Sequence, residues 1–233
     1  MSKESFKAFL KRKDIEFSAK RYGIDALGAM AQGLFASLLI GTILSTIGTQ
    51  FNIAIFNEMG DFAKTVAGSA MAVAIGFALK APPLVLFSLV AVGWAANSLG
   101  GAGGPLAVLL ITIVSAELGK AVSKETKVDI LVTPLTVIIS GALLSHFCAP
   151  AIGVAASYVG NAIMWATEQR PFVMGIIVSV VVGIALTLPI SSAAICAALS
   201  LTGLAGGAAV AGCCAQMIGF AVMSFKENRW GGL

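Results

Sequence analysis

A chain of 233 residues that is 58% hydrophobic and only 11% charged falls far short of the roughly 25% charge of soluble domains, which excludes an ordinary soluble enzyme. At about 20 apolar residues per crossing, the length allows at most about ten membrane spans. The net charge of +4 is concentrated near the N-terminus and points to anionic lipid, not nucleic acid, as the partner.

Residues 3–22 read as a basic amphipathic helix lying in a membrane interface, with Phe6, Phe9, Leu10 and Phe17 toward one side. The apolar run at 26–48 is too long for the core of a cleavable signal and is expected to remain as the first span. Gly33, Ser37, Gly41 and Ser45 recur along it every fourth residue, a stripe that lets a second helix approach closely. Segment 49–62 holds Glu58 and Asp61 but no Lys or Arg, as expected of an external loop. A second span covers 63–80, with Lys64 near enough to an interface to extend its ammonium group into water.

Pro82 and Pro83 open a third span over 82–98. An uncharged glycine-rich turn at 98–105 leads to a fourth over 105–122 and then to the polar loop 120–129. The fifth and sixth spans occupy 130–148 and 150–167 with Pro150 at the turn, and the seventh occupies 171–188. The stretch 189–224 is too long for one plain helix and reads as a broken or re-entrant helix near 189–205 followed by a full span. In it Gly203, Gly207, Ala211 and Ala215 form a second small-residue stripe.

The Lys and Arg residues sit at the N-terminus and mostly at every second boundary between these runs. Short cytoplasmic loops retain such charges during insertion. The expectation is an all-α polytopic membrane protein with about eight transmembrane helices or hairpin equivalents. Residues 1–25 would form a cytoplasmic N-terminal helix and 26–233 the transmembrane domain, in a bacterial inner membrane.

Polar side chains within spans are costly, so each is a candidate site residue. Glu117 precedes Lys120 by three positions, so a plain i,i+3 ion pair weighs evenly against a solute-binding role. His146, the one histidine, lies among Ser140, Ser145 and Pro150 and suggests a hydrogen-bonding group on a watery cavity. Asn97, Asn161, Gln32 and Gln216 are amides in four different runs. Singly, each fits helix-to-helix glue at about 0.6 kcal/mol; together they would suit a polyhydroxylated solute. Ser191 and Ser192 follow Pro189 and can cap a half-helix whose free N–H groups aim at a ligand. The four cysteines fit no metal or redox spacing and read as small buried apolar residues. No nucleophile–base set, catalytic residue, metal ligand set or cofactor motif is legible.

The stretch Lys20-Arg21-Tyr22-Gly23-Ile24-Asp25-Ala26-Leu27-Gly28-Ala29-Met30-Ala31-Gln32-Gly33, with Asn97-Ser98-Leu99-Gly100-Gly101 and Leu188-Pro189-Ile190-Ser191-Ser192, resembles an Enzyme IIC-like membrane family of sugar phosphotransferase systems, in its perfringolysin-regulator branch. The resemblance implies a sugar permease component, a homodimer working with separate IIA and IIB proteins, with no phosphoryl transfer by this chain alone. It also implies a longer chain than this one, so a C-terminal part is expected to be missing. Better-known relatives line the sugar with a Glu and a His; Glu117 and His146 are nominated on physical grounds alone. Two alternatives stand beside this: a membrane sensor that keeps a transporter fold without transport, and a facilitator for another small metabolite.

Overall fold

The computed structural model describes residues 3–185, 196 and 201–227, so most of the broken helix expected near 189–205, with Ser191 and Ser192, lies outside the described residues. All regular structure described is helical. Contacts divide the chain into two compact units, Met1–Ala155 and Ala156–Leu233.

The first unit opens with α1 (Lys3–Arg12), shorter than the amphipathic helix expected over 3–22. It stops because Asp14 takes a left-handed conformation (φ 52°). Asp14 and Ile15 then donate their N–H groups back to Lys11 and Leu10, a Schellman closure. Ile15 is buried, and Arg21 starts the long helix α2 (Arg21–Gln50). Widened turns occur in α2 at Arg21–Asp25 and Phe35–Leu39.

After a short turn, α3 (Ala54–Thr65) and α4 (Ala67–Ala78) return along α2, with a break at Val66. A Cβ on Gly33 would meet the Ala70 carbonyl oxygen at 2.6 Å, and one on Gly41 the Gly60 carbonyl oxygen at 2.7 Å. The small-residue stripe of the first span therefore faces protein. The external loop expected at 49–62 is corrected: most of it is α3, drawn onto α2 because Gly60 lets its backbone lie against Gly41 and Ser45. Lys64 packs its stem against Gly41, well inside the length of α2, and Asp61 balances its charge at 2.8 Å.

Helices α5 (Pro83–Gly100), α6 (Gly104–Val122) and α7 (Asp129–Gln169) follow. Gly68 lies against Asn97 and Gly76 against Leu89, so α4 and α5 are antiparallel; Gly119 meets Val137, and Gly141 meets Val92. Pro134 and Pro150 both lie inside α7, so the turn expected at Pro150 is absent and the runs 130–148 and 150–167 are one helix. Prolines survive within membrane helices because neighbouring groups satisfy the freed carbonyls.

The second unit holds the end of α7, α8 (Pro171–Ala185) and α9 (Gly203–Glu227). Val178 and Val182 pack on Ala209, and Gly212 lies against the Ser179 carbonyl. The packing face of α9 is thus Ala205, Ala209 and Gly212, whereas Gly203, Gly207, Ala211 and Ala215 of the expected stripe are exposed. Small residues occur all around this helix, so their spacing did not single out one face. Among the cysteines, Cys148 and Cys214 are exposed and Cys196 and Cys213 half-buried.

Among the described residues, five helical segments are long and apolar enough to cross a membrane, with Ala67–Ala78 and Pro171–Ile184 as shorter apolar helices. Their outward faces are apolar too: Ile130, Leu131, Leu135, Ile138, Ile139 and Leu143 of α7 are all exposed. Soluble monomers rarely expose contiguous patches of that kind. This is a polytopic membrane protein.

Candidate functional site

Within the first unit the helices alternate in direction. The turns at 79–82 and 123–128 and the N-terminal segment therefore gather at one end, and those at 51–53 and 101–103 at the other. Lys80, Lys120, Lys124, Lys127, Arg12, Lys13 and Arg21 all belong to the first end. There Glu117 is buried and pairs with Lys120 at 2.9 Å, while the Tyr22 hydroxyl donates to its other oxygen at 3.1 Å. The i,i+3 pair is as the spacing allows.

Lys120 has further duties. Its ammonium donates to the carbonyls of Asp14 (2.7 Å) and Leu79 (3.1 Å). The Arg21 guanidinium donates to the same Leu79 carbonyl and to the Asp14 carboxylate, each at 2.8 Å. Two cations converge on Leu79 because it closes α4: Lys80 stands at φ 55°, and Lys80 and Ala81 donate back to Phe77 and Gly76. The Leu79 carbonyl is thereby left pointing past the helix end, free to accept from both.

Beside this knot, Arg12 and Lys13 share the Glu125 carboxylate, Lys13 also donates to the Ser123 carbonyl, and both cations lie over the Phe9 ring. The hydrogen bond from Arg21 holds the Asp14 carboxyl below its ordinary range, and that from Lys13 does the same for Glu125. Both acids thus stay ionised and keep the N-terminal segment latched to the bundle. The arrangement fixes charge at one end of a membrane bundle. It positions no nucleophile beside a base, and no three His, Cys, Asp or Glu side chains among the described residues are placed to share a metal.

Within the first unit, Asn97 and Glu117 stand at different levels of the bundle. Asn97 is half-buried near the opposite end of the bundle, against Gly68 and Gly104, where an added Cβ would meet its atoms at 2.5 and 2.6 Å. Thirteen residues of α6 separate that level from Glu117, about 20 Å at 1.5 Å per residue. His146 is exposed, edge-on to Phe147. Gln32 is exposed on the rim of an open apolar groove that also touches Ser69 and Phe77. In the second unit Asn161 is exposed and Gln216 half-buried.

Arg21, Tyr22 and Asp14 were not nominated. A signal for them exists: a carboxylate buried beside a single lysine leaves lone pairs that need another donor, and Arg21-Tyr22 opens a span that begins at the same end.

A family model described as Phosphotransferase system, EIIC matches residues 24–233, whereas no curated protein and no solved structure matches the chain. The match begins inside the first widened turn of α2 and takes in every later helix, leaving α1 and Asp14 ahead of it. The chain belongs to the phosphotransferase-system EIIC family, the membrane permease components of sugar phosphotransferase systems.

Proposed function

We propose that this protein carries a sugar across a bacterial inner membrane as the IIC component of a phosphoenolpyruvate-dependent phosphotransferase system, with its N-terminus in the cytoplasm. The family match over residues 24–233 carries this reading. The gathering of Lys and Arg at one end of the bundle supports the orientation, since such charges stay on the cytoplasmic side. Separate IIA and IIB proteins supply the phosphoryl group. The cytoplasmic end of the bundle, with the loop 123–128, is where a IIB protein docks.

Asn97, Ser191 and Ser192 are our first candidates for solute contact. Glu117 is already engaged by Lys120 and Tyr22 and comes second. His146, Gln32, Asn161 and Gln216 would act through a second copy of the chain or through elements beyond those described. The regulator-type branch and a homodimer are part of the same proposal.

The test is uptake. Cells expressing the chain with the general phosphotransferase proteins and a IIB partner should accumulate one of a panel of radiolabelled sugars as its phosphate ester. Sugar binding to the purified chain without uptake under any partner combination would instead establish a sensor.

A further inference from the structure

At the Lys/Arg-rich end of the first unit lies a cavity of about 320 Å³, at the low end of the roughly 300–1,000 Å³ typical of small-ligand pockets. Five cations line it, Arg12, Lys13, Lys80, Lys120 and Lys124, against two carboxylates, Asp14 and Glu125. The acids are already committed. Asp14 is held by Arg21 from outside the cavity, Arg12 and Lys13 must share Glu125, and Lys120 is neutralised by Glu117. The ammonium groups of Lys80 and Lys124 make no ion pair among the described residues, although Asp129 accepts from the Lys124 backbone N–H at 2.7 Å and Asp14 lies in the field of Lys80. With Arg21 included, six cations face four acids, Asp14, Glu117, Glu125 and Asp129. The wall therefore carries uncompensated positive charge, with donors from three separate parts of the chain.

Its backbone points the same way. Asp14, Lys80 and Lys124 have φ of 52°, 55° and 62°, in the left-handed region that glycine adopts at no steric cost. Lys80 is the position after the helix end in a Schellman closure, where glycine is the usual residue. Lys124 is the third residue of a tight turn: Ser123 has φ −54° and ψ 132°, and Glu125 donates to the Val122 carbonyl at 3.1 Å. Glycine is the normal occupant of that position in a type II turn. Of the four described non-glycine residues with positive φ, three line this one cavity. Backbone strain persists where the side chain it presents has a use. Here two of the three side chains presented are ammonium groups, and the third is the Asp14 carboxylate that Arg21 holds.

We propose that this cavity is a binding site for a phosphate group, carried by a small phosphate monoester or by an anionic phospholipid headgroup. Ammonium and guanidinium groups converging from several directions recognise tetrahedral phosphate oxygens through charge-assisted hydrogen bonds. Arg12, Lys13 and Asp14 precede the segment matched by the family model, so one wall of the site is built by residues that this match does not cover. Occupancy would tie the N-terminal segment more firmly to the turns at 79–82 and 123–128.

The experiment uses the full chain and the variant Lys80→Gly/Lys124→Gly, which removes both unpaired cations and relaxes both left-handed residues. In one arm, radiolabelled inorganic phosphate and glycerol 3-phosphate are equilibrated with protein in neutral detergent at constant ionic strength. In the other, retention of phosphatidylglycerol over phosphatidylcholine is read by native mass spectrometry. The expected result is saturable binding in at least one arm, weakened tenfold or more in the variant, whose melting temperature without ligand is equal or higher. Binding in the first arm only assigns a soluble phosphate ester, and in the second only a lipid headgroup. Absence of binding in both arms, or equal binding by the variant, overturns the proposal.

Discussion

The two ends of the first unit close the same helices by opposite means. At one end the turns are fastened by charge: Arg21 and Lys120 meet on the Leu79 carbonyl, Lys13 and Arg12 on Glu125, and two lysines stand in left-handed positions. At the other end no Lys or Arg occurs in the turns, and closure is by close approach. Gly153 lies against the Gly100 carbonyl and Gly104 against Asn97, and the left-handed positions belong to Gly101 (φ 53°) and to Asn52 (φ 56°), asparagine being one of the side chains that adopt this conformation most readily. The glycine end is what tight packing alone requires; the charged end carries cations beyond those requirements.

The sharpest way to break the comparison is to ask whether the ends lie on opposite sides of a membrane. Single cysteines at 101 and 126, in a variant with the four native cysteines replaced, should react with an impermeant maleimide from opposite faces of oriented vesicles. Labelling of both from one face would refute the assignment outright.

Next in size is the charged knot. Lys120→Ala leaves Glu117 buried beside only the Tyr22 hydroxyl and takes one donor from each of the Asp14 and Leu79 carbonyls. Removing one partner of a buried ion pair costs about 3–5 kcal/mol, so detergent melting should fall by many degrees. Glu117→Gln combined with Lys120→Met should recover much of the loss, because no uncompensated charge then remains. A double variant as unstable as the single one would show that the carbonyl contacts, not the pair, hold this end.

The glycine end should respond more mildly. An added methyl in Gly153→Ala meets the Gly100 carbonyl oxygen, and overpacking of this kind costs about 1–3 kcal/mol. The same change at Gly175, inside a helix and with nothing within 4 Å, should leave the melting temperature equal or raise it slightly, since alanine is the better helix former by up to about 1 kcal/mol, and serves as the control. Equal effects at the two positions would mean that close approach at Gly153 contributes nothing.

Much of this was readable beforehand because it depends on local pattern. Apolar runs, the alternating placement of Lys and Arg, and the stripe Gly33, Ser37, Gly41, Ser45 each follow from spacing along one helix. So does the Glu117–Lys120 pair. What escaped was set by partners distant in sequence. Segment 49–62 looked like an external loop because it holds Glu58 and Asp61 but no Lys or Arg, yet most of it lies in a helix that Gly60 docks on Gly41. Pro150 looked like a turn because proline breaks helices in water, whereas here it sits within a continuous one. The phosphate cavity was invisible because Lys80 and Lys124 replace the glycine that ordinarily marks a left-handed turn. The solute-contact residues stay harder still, since Asn97, Glu117 and His146 stand at separate places in the first unit and Ser191 and Ser192 lie beyond the described residues.

The smallest expected effect separates the ends by pH. The Arg21 guanidinium beside Asp14 holds its carboxyl below the ordinary value of 3.8, chiefly through their hydrogen bond. A group whose folded value is depressed contributes stability that is present above its unfolded value and is lost as pH falls through the folded one. Asp14→Asn should therefore lower stability near neutral pH and converge with the parent chain as pH drops below about 3.8. The side chain of Asp14 is 44% exposed, so water screens the pair and the difference should be on the order of 0.2–1 kcal/mol. Gly104→Ala, at the uncharged end, has no titrating partner and should shift melting by the same amount at pH 3 and pH 7. A pH-dependent penalty for Gly104→Ala, or a pH-independent one for Asp14→Asn, would erase the electrostatic distinction between the two ends.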